Sequence, residues 1–301
     1  MSSGTATAPG KIVLSGEYAV LGNAPAIAMA VNRRAVASIV TTPQPSATDT
    51  QLLASVCQEL GIERSELNVL QDTDAFYSAQ DRSGRKLGIG SSAALTVALC
   101  RLLAPAEIEE GALLQVAHAA HRRFQGDAGS GVDIATSVTG GLLCYRREPV
   151  WRRSLAWPSG LHYKVLWSGV AASTVAKIDK LQRQEHKDSV ARLASVAETM
   201  ADCWMSGNGA AVLSAHVEYL AALRQFDSDH QLGVFAAGHD ALCIAAETLG
   251  LAYKPCGAGG GDIGIALSND TDILDQFVAQ ARAAGFLPLD LQLDPQGVSD
   301  A

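Results

Sequence analysis

Lys86-Leu-Gly-Ile-Gly-Ser-Ser-Ala-Ala-Leu95 places two glycines and two serines directly before an apolar run at helical spacing, Ala93 to Leu103. Small residues at such a junction let backbone N–H groups converge on an anion at the positive end of a helix, which is the physics of a phosphate cradle. The same residues also satisfy a tight turn capped by Ser91 or Ser92. A Walker A loop is excluded, because no Lys-Ser/Thr pair closes the stretch.

Two further glycine-rich segments lie downstream. Gln125-Gly-Asp-Ala-Gly-Ser-Gly-Val-Asp133 ends in a carboxylate at the start of a helical stretch. An Asp there either caps the helix or, beside bound phosphate, orients or deprotonates an attacking oxygen. Lys254-Pro-Cys-Gly-Ala-Gly-Gly-Gly-Asp-Ile-Gly264 demands close backbone approach or repeated positive φ. Its glycines also spell G-x-G-x-x-G. They lead into an apolar strand rather than opening a helix, and no carboxylate follows about twenty residues on, so a dinucleotide site is not expected.

Around these segments the pattern is mixed α and β. Lys11–Val20 and Ala26–Val40 read as strands broken by a turn at Gly22-Asn23, and Thr50–Leu60 as a helix after Pro43 and Pro45. Gln71–Arg85 reads as a polar loop. Helices are expected over Ala93–Leu103 and Glu107–Phe124, then a helix passing into a strand over Ile134–Tyr145. Tyr163–Ser168 reads as a strand. Val175–Leu223 is rich in helix formers and breaks at Ser206-Gly-Asn-Gly209. A helix at Gly233–Leu249, a strand at Ile263–Leu267, a helix at Thr271–Ala284 and a strand near Leu287–Leu293 complete the chain. The expected division is into residues 1–168 and 169–301, closely packed because no Pro/Gly linker marks the boundary.

The chain has 301 residues, 48% hydrophobic and 18% charged, and a net charge of −8. This is a globular composition whose charge gives nucleic acid no basic surface, so an anionic ligand needs a local site. The opening residues have neither a basic nor an apolar region of a signal peptide, and no apolar run reaches spanning length. A cytoplasmic location is the expectation. Six scattered cysteines without a Cys-x-x-Cys pair read as reduced, mostly core thiols. His118 and His121 share a helical face, and with Asp127 they form a conceivable metal site, but core or surface histidines are the simpler reading.

Near the start stands Ala8-Pro-Gly-Lys-Ile-Val-Leu-Ser-Gly-Glu-Tyr-Ala-Val-Leu21. Pro-Gly-Lys-x-x-Leu-x-Gly-Glu-Tyr-Ala-Val-Leu, Gly-Ile-Gly-Ser-Ser-Ala-Ala and Gly-Ala-Gly-Gly-Gly-Asp, in this order over about residues 8 to 267, resemble the three motifs of the GHMP kinases. Gly-Glu-Tyr rather than Gly-Glu-His, the Lys before the second motif, Gly-Ser-Gly-x-Asp and Lys-Pro-x-Gly-Ala-Gly-Gly-Gly-Asp are most similar to the phosphomevalonate kinase group. So is Trp167-Ser-Gly-Val-Ala-Ala-Ser-Thr174. A mevalonate kinase would carry a metal-binding Glu eleven residues before the catalytic Asp, where this chain has Arg122, followed by Arg123.

The resemblance implies an α+β fold of two domains, an N-terminal unit like domain 2 of ribosomal protein S5 and a C-terminal ferredoxin-like unit. It implies ATP-dependent phosphorylation of 5-phosphomevalonate in isoprenoid precursor synthesis, with ATP and Mg²⁺ required and a small phosphorylated anion as acceptor. Another GHMP kinase or decarboxylase, or a non-catalytic metabolite-binding protein of the same fold, is the alternative. Asp133 and Lys11 take the catalytic roles. Lys86, Gly88, Ile89, Gly90, Ser91, Ser92 and Ala93 hold the ATP phosphates, with Ser92 a magnesium ligand. Ser15, Glu17, Tyr18, Ser130, Gly131, Gly259 and Gly260 line the acceptor side. Lys86, Arg122, Arg123 and Lys254 are unranked candidates for its phosphate. Monomer and homodimer stay open. Two departures stand out: a short chain between Leu21 and Lys86 and through the second domain, and Cys256 where the family commonly has Ser.

Overall fold

The computed structural model describes residues 4–40, 50–64, 67–78, 84–126, 129–172, 177, 180–181 and 187–301. Two antiparallel sheets organise it. The first contains β1 (Thr5–Ser15), β2 (Ala26–Ile39), β3 (Val69–Asp72), β4 (Leu142–Arg146), β5 (Trp151–Leu155) and β10 (Ser299–Asp300), in the order β10-β1-β2-β4-β5, with β3 also paired to β2. The long β2 serves two partners on one edge, β4 along Ala26–Met29 and β3 along Val36–Ile39.

Four helices cover this sheet: α1 (Thr50–Leu60), α2 (Ser91–Leu103), α3 (Glu110–Phe124) and α4 (Val132–Thr139). Helices α2 and α4 lie on β1 and β2, while α1 and α3 pack on α2. Eight consecutive residues of α2, Ala93 to Cys100, are buried, so this helix is apolar on every side, as a central helix must be.

The second sheet has the order β7-β8-β6-β9, formed by β6 (His162–Trp167), β7 (Ala252–Pro255), β8 (Ile263–Ser268) and β9 (Leu287–Leu289). All six residues of β8 are buried, which explains its unbroken apolar run. Helices α5 (Lys187–Met205), α6 (Gly209–His230), α7 (His239–Leu249) and α8 (Thr271–Ala283) accompany it. The break expected at Ser206–Gly209 becomes a helix start: the Asn208 side chain accepts from the N–H groups of Ala210 and Ala211, at 3.0 and 3.2 Å. Helix α5 also reaches β1, β2 and the 3-10 turn Ala19–Gly22, joining the two layers.

A cut at residue 168 is not where the sheets divide. Strand β6, which precedes it, pairs with β8 and β9 in the second sheet, so the crossing falls between Leu155 and His162. The chain end returns to the first sheet, where Ser299 and Asp300 pair with Thr7 and Ala6. Four strands went unread, β3, β5, β7 and β10. Strand β7 contains Lys254 and Pro255, residues that argue against a strand, yet it is an edge strand, where Pro is tolerated. The helix expected from Gly233 begins only at His239, after Gly238 at φ 85°. The stretch expected as a loop carries β3 and a 3-10 turn at Asp74–Phe76, and its residues 79–83 lie outside the described residues. All six cysteines are free and five are buried. No helix among the described residues is long and apolar enough to cross a membrane.

Candidate active site

A cleft of about 500 Å³ opens where β1, the starts of α2 and α4, and the glycine-rich loop before β8 meet. Strand β1 supplies Lys11, α2 supplies Ser91 and Ser92, α4 supplies Asp133, and the loop supplies Gly257, Ala258 and Asp262.

The cradle is tied to the strand. Strand β10 covers only Ala6 and Thr7 of β1, leaving the Lys11 N–H to donate to Ile89 O at 2.9 Å. Gly90, at φ 83°, turns the chain into α2, and no side chain caps that helix. The Lys11 stem crosses Gly90 so closely that a Cβ there would stand 3.2 Å from Lys11 Cε. A helix start without a side-chain cap, flanked by an ammonium, leaves its first N–H groups available to an anion. Helix α4 also starts after a left-handed glycine, Gly131 at φ 78°, with Asp133 in its first turn, but its leading N–H groups are engaged: Val132 N–H donates to Ser130 Oγ at 3.4 Å and Ile134 N–H to Asp133 Oδ1.

Helix α3 holds both starts from behind. His118 Nε2–H donates to Gly131 O at 3.0 Å, and His121 Nε2 bonds Ser92 Oγ at 3.2 Å. Burial lowers both imidazole pKa values, with the nearby Asp133 carboxylate pulling against it. These histidines position the two helix starts. Their imagined third partner, Asp127, lies outside the described residues. Among the described residues no three His, Cys, Asp or Glu side chains converge on a metal site.

For Asp133, burial pushes the carboxyl up, but His121, Lys11, the Ile134 N–H and His118 outweigh it and hold it below the ordinary range. The Ile134 N–H donates to Asp133 Oδ1 at 3.0 Å. Asp133 is thus a fixed carboxylate at neutral pH.

Glu17 and Lys254 are spoken for by each other. Lys254 Nζ bonds Glu17 Oε1, with the two side chains 1% and 2% exposed. Tyr219 of α6 donates to Glu17 Oε2 at 2.7 Å and accepts from the Gly16 N–H at 2.7 Å. Burial pulls the Lys254 pKa down, but the Glu17 carboxylate prevails and raises it, so the ammonium persists. The network joins the end of β1 to β7 and α6, clamping the layers together on one side of the cleft.

Tyr18, at φ 61°, donates its hydroxyl to Ala258 O at 2.6 Å, with burial holding the phenol protonated. The loop is further fixed by Lys177, whose Nζ donates to the carbonyls of Gly259 at 2.7 Å and Ala258 at 3.1 Å. Cys256, the departure from the family pattern, is buried, and burial pushes its thiol up to about 11; it packs as a neutral side chain.

The residues singled out from the sequence therefore divide. Lys11, Glu17, Tyr18, Lys86, Gly88, Gly90, Ser91, Ser92, Ser130 and Asp133 line the cleft. Ile89 and Ala93 are buried in the core, and Ser15 is buried with an Oγ that has no hydrogen-bond partner. Gly131 faces a smaller cavity of about 170 Å³ behind the α4 start. Gly259 and Gly260 turn away from the cleft, because a Cβ on either would collide with the Gly233-Val234 backbone. Of the four cations considered for an acceptor phosphate, Lys86 lines the cleft, its Nζ 5.9 Å from the Tyr77 ring centroid. Arg122 faces the smaller cavity, Arg123 pairs with Glu59 of α1 at 2.5 Å, and Lys254 is held by Glu17. Lys177 and Tyr219 carried no signal in the sequence, since each sits in an ordinary helical pattern, and Gln125, which opens the glycine-rich segment ending at Asp133, was not singled out within it.

The family profile for the GHMP kinases N terminal domain matches residues 50–141. A phosphomevalonate kinase of Streptomyces sp. strain CL190 is 30% identical, with 97% of each chain covered. That alignment runs over 368 positions against 301 residues here, so the relative carries insertions that this chain lacks. A mevalonate kinase of Archaeoglobus fulgidus is 28% identical, covering 93% of this chain and 98% of its own. The solved structure of Streptococcus pneumoniae phosphomevalonate kinase in complex with phosphomevalonate and AMPPNP shares the fold at a TM-score of 0.80 and 18% identity, covering 96% of this chain and 99% of its own. With such identity sustained along nearly the whole of both chains, and the glycine-rich cradle, Lys11 and Asp133 gathered in one cleft, the chain belongs to the GHMP kinase family.

Proposed function

We propose that the chain transfers the γ-phosphoryl group of ATP to the phosphate of 5-phosphomevalonate, giving 5-diphosphomevalonate and ADP in isoprenoid precursor synthesis. The observation that carries this reading is the placement of Lys11 and Asp133 beside the uncapped start of α2, in a chain 30% identical to a phosphomevalonate kinase. The nucleotide phosphates dock on the backbone from Gly88 to Ser92. An acceptor phosphate oxygen attacks the γ-phosphorus, and the bond to the bridging β,γ oxygen breaks.

Such a transfer depends on positioning and charge neutralisation more than on covalent chemistry. Lys11 neutralises charge as the phosphoryl group moves. Asp133 orients the acceptor: a carboxyl held below its ordinary range is a weak base, and a phosphate monoester, with its second pKa at about 6, is already largely ionised at neutral pH. Lys86, the exposed cation on the cleft wall, is the residue best placed to meet the acceptor's negative charge.

The residues present also fit Mg²⁺. Ser92 Oγ at the cradle and the Asp133 and Asp262 carboxylates on the cleft walls are hard oxygen donors, and this ion needs few protein ligands. When bound it neutralises phosphate charge.

The deciding experiment is ADP release with ATP and Mg²⁺ in the presence of 5-phosphomevalonate, mevalonate or no acceptor, repeated with Asp133→Ala. Turnover on 5-phosphomevalonate alone, lost in the variant, is the expected result. Turnover on mevalonate alone transfers the assignment to a sister kinase, carbon dioxide release identifies a decarboxylase, and nucleotide binding without turnover a binding protein.

A further inference from the structure

Asp262 intrudes on the phosphate cradle, and a glycine-rich loop that merely closed a cleft would not need a carboxylate there. Its backbone stands at φ 53°, a conformation that costs a non-glycine residue about 1 kcal/mol or more. Three bonds hold it in place: its N–H donates to Val170 O at 2.6 Å, its carbonyl accepts from Ser168 N–H at 2.8 Å, and its Oδ1 accepts from Ala172 N–H at 3.2 Å. The side chain then crosses to the other layer and fills the space over Gly88. A Cβ on Gly88 would lie 2.2 Å from Asp262 Cγ and 2.5 Å from Oδ2. The strained backbone, the three tethers and the bare Gly88 together put a negative charge where an anion is meant to dock.

We propose that Asp262 makes the cradle discriminate between metal-bound and metal-free ATP. The inference rests on the reading that ATP phosphates dock along Gly88–Ser92. A fixed carboxylate repels an incoming polyphosphate in proportion to the charge that polyphosphate carries, and in a cleft of low effective dielectric this repulsion is not screened as in water. A divalent cation cancels part of the nucleotide charge and is itself drawn to the carboxylate. The penalty therefore falls on free ATP and spares the metal complex. Burial pushes the Asp262 carboxyl up, while the Ala172 N–H, Lys11 and Lys177 pull it down; Lys177 is engaged with the loop carbonyls and the Lys11 stem rests on Gly90, so the two cations moderate this selection without removing it.

The test is calorimetric titration of ATP, without acceptor, into wild type, Asp262→Asn and Asp262→Ser, each with excess MgCl₂ and with EDTA. Asparagine keeps the shape over Gly88 and an oxygen for the Ala172 N–H but drops the charge. Removing one charge at this range is expected to tighten metal-free ATP so that the ratio of Kd without metal to Kd with metal falls on the order of tenfold. Serine, smaller and still an acceptor, must lower the ratio in the same direction. Equal changes with and without metal, an unchanged ratio, or discord between the two variants overturns the inference and leaves Asp262 a loop tether. A wild type that binds ATP in neither condition overturns the kinase reading along with it, whereas Mg-ATP binding with an unaltered ratio overturns the selection alone.

Discussion

Lys11 and Asp133 stand on different elements, and the lysine helps to set the state of the carboxyl. The lysine stem is braced on Gly90, while its ammonium is one of the charges holding the Asp133 carboxyl low. Lys11→Met keeps the apolar stem and removes the charge. Steady-state ADP release is expected to fall by about 10²–10³ in kcat, the cost of deleting one charge-stabilising donor, with little change in melting temperature. A loss under about tenfold would remove Lys11 from the chemistry. The pH profile carries a second readout. Asp133 is active as the carboxylate and loses that state as pH falls through its folded pKa, so removing Lys11 moves that pKa up and shifts the acid limb to higher pH.

At the scale of elements, the end of β1 is joined to β7 and α6 by Glu17, Lys254 and Tyr219. A buried pair of this kind is costly to break from one side. Lys254→Met leaves Glu17 buried without its counter-charge and is expected to cost about 3–5 kcal/mol in urea unfolding. Converting Glu17 to Gln in the same chain should recover much of the loss. A single-variant cost near zero would show that the pair is solvated and does not clamp the layers. These residues were legible as motif members but not as partners. They stand 237 positions apart, and nothing periodic in the sequence connects them.

Over the whole molecule, acid should loosen the packing that buried histidines hold in the second layer. His239 donates from Nε2 to Gly261 O at 3.1 Å and accepts at Nδ1 from the Tyr253 hydroxyl at 2.8 Å, so it is neutral and helps hold the glycine-rich loop. His216 Nε2–H donates to Tyr253 O at 3.2 Å. Burial lowers both imidazoles from the ordinary 6.5 to about 4. The unfolded chain therefore takes up protons first as pH falls. Stability is full above about pH 6.5 and declines toward about pH 4, by on the order of 3 kcal/mol for each histidine. Urea midpoints measured across this window should fall with pH, and His239→Gln should flatten the slope; an unchanged slope removes His239 as a contributor.

The sequence by itself determined many of the elements and which motif residues meet in the cleft. Helix α1 over Thr50–Leu60, the start of α2 after Gly90, and the passage from α4 into β4 through Gly140-Gly141 were readable because periodicity, glycines and caps act within a few residues. Lys11, Asp133 and the cradle were readable because ordered motifs carry them. Tertiary structure alone decided that β6 joins the second sheet while the chain end returns to the first, and that Lys86 reaches the cleft while Arg123 and Lys254 are bound to carboxylates elsewhere. It also decided that Asp262 rests on Gly88. The physical reason is common to all three: strand pairing, burial of charge and contact between layers depend on how distant segments dock, and a local pattern of residue types carries no record of that.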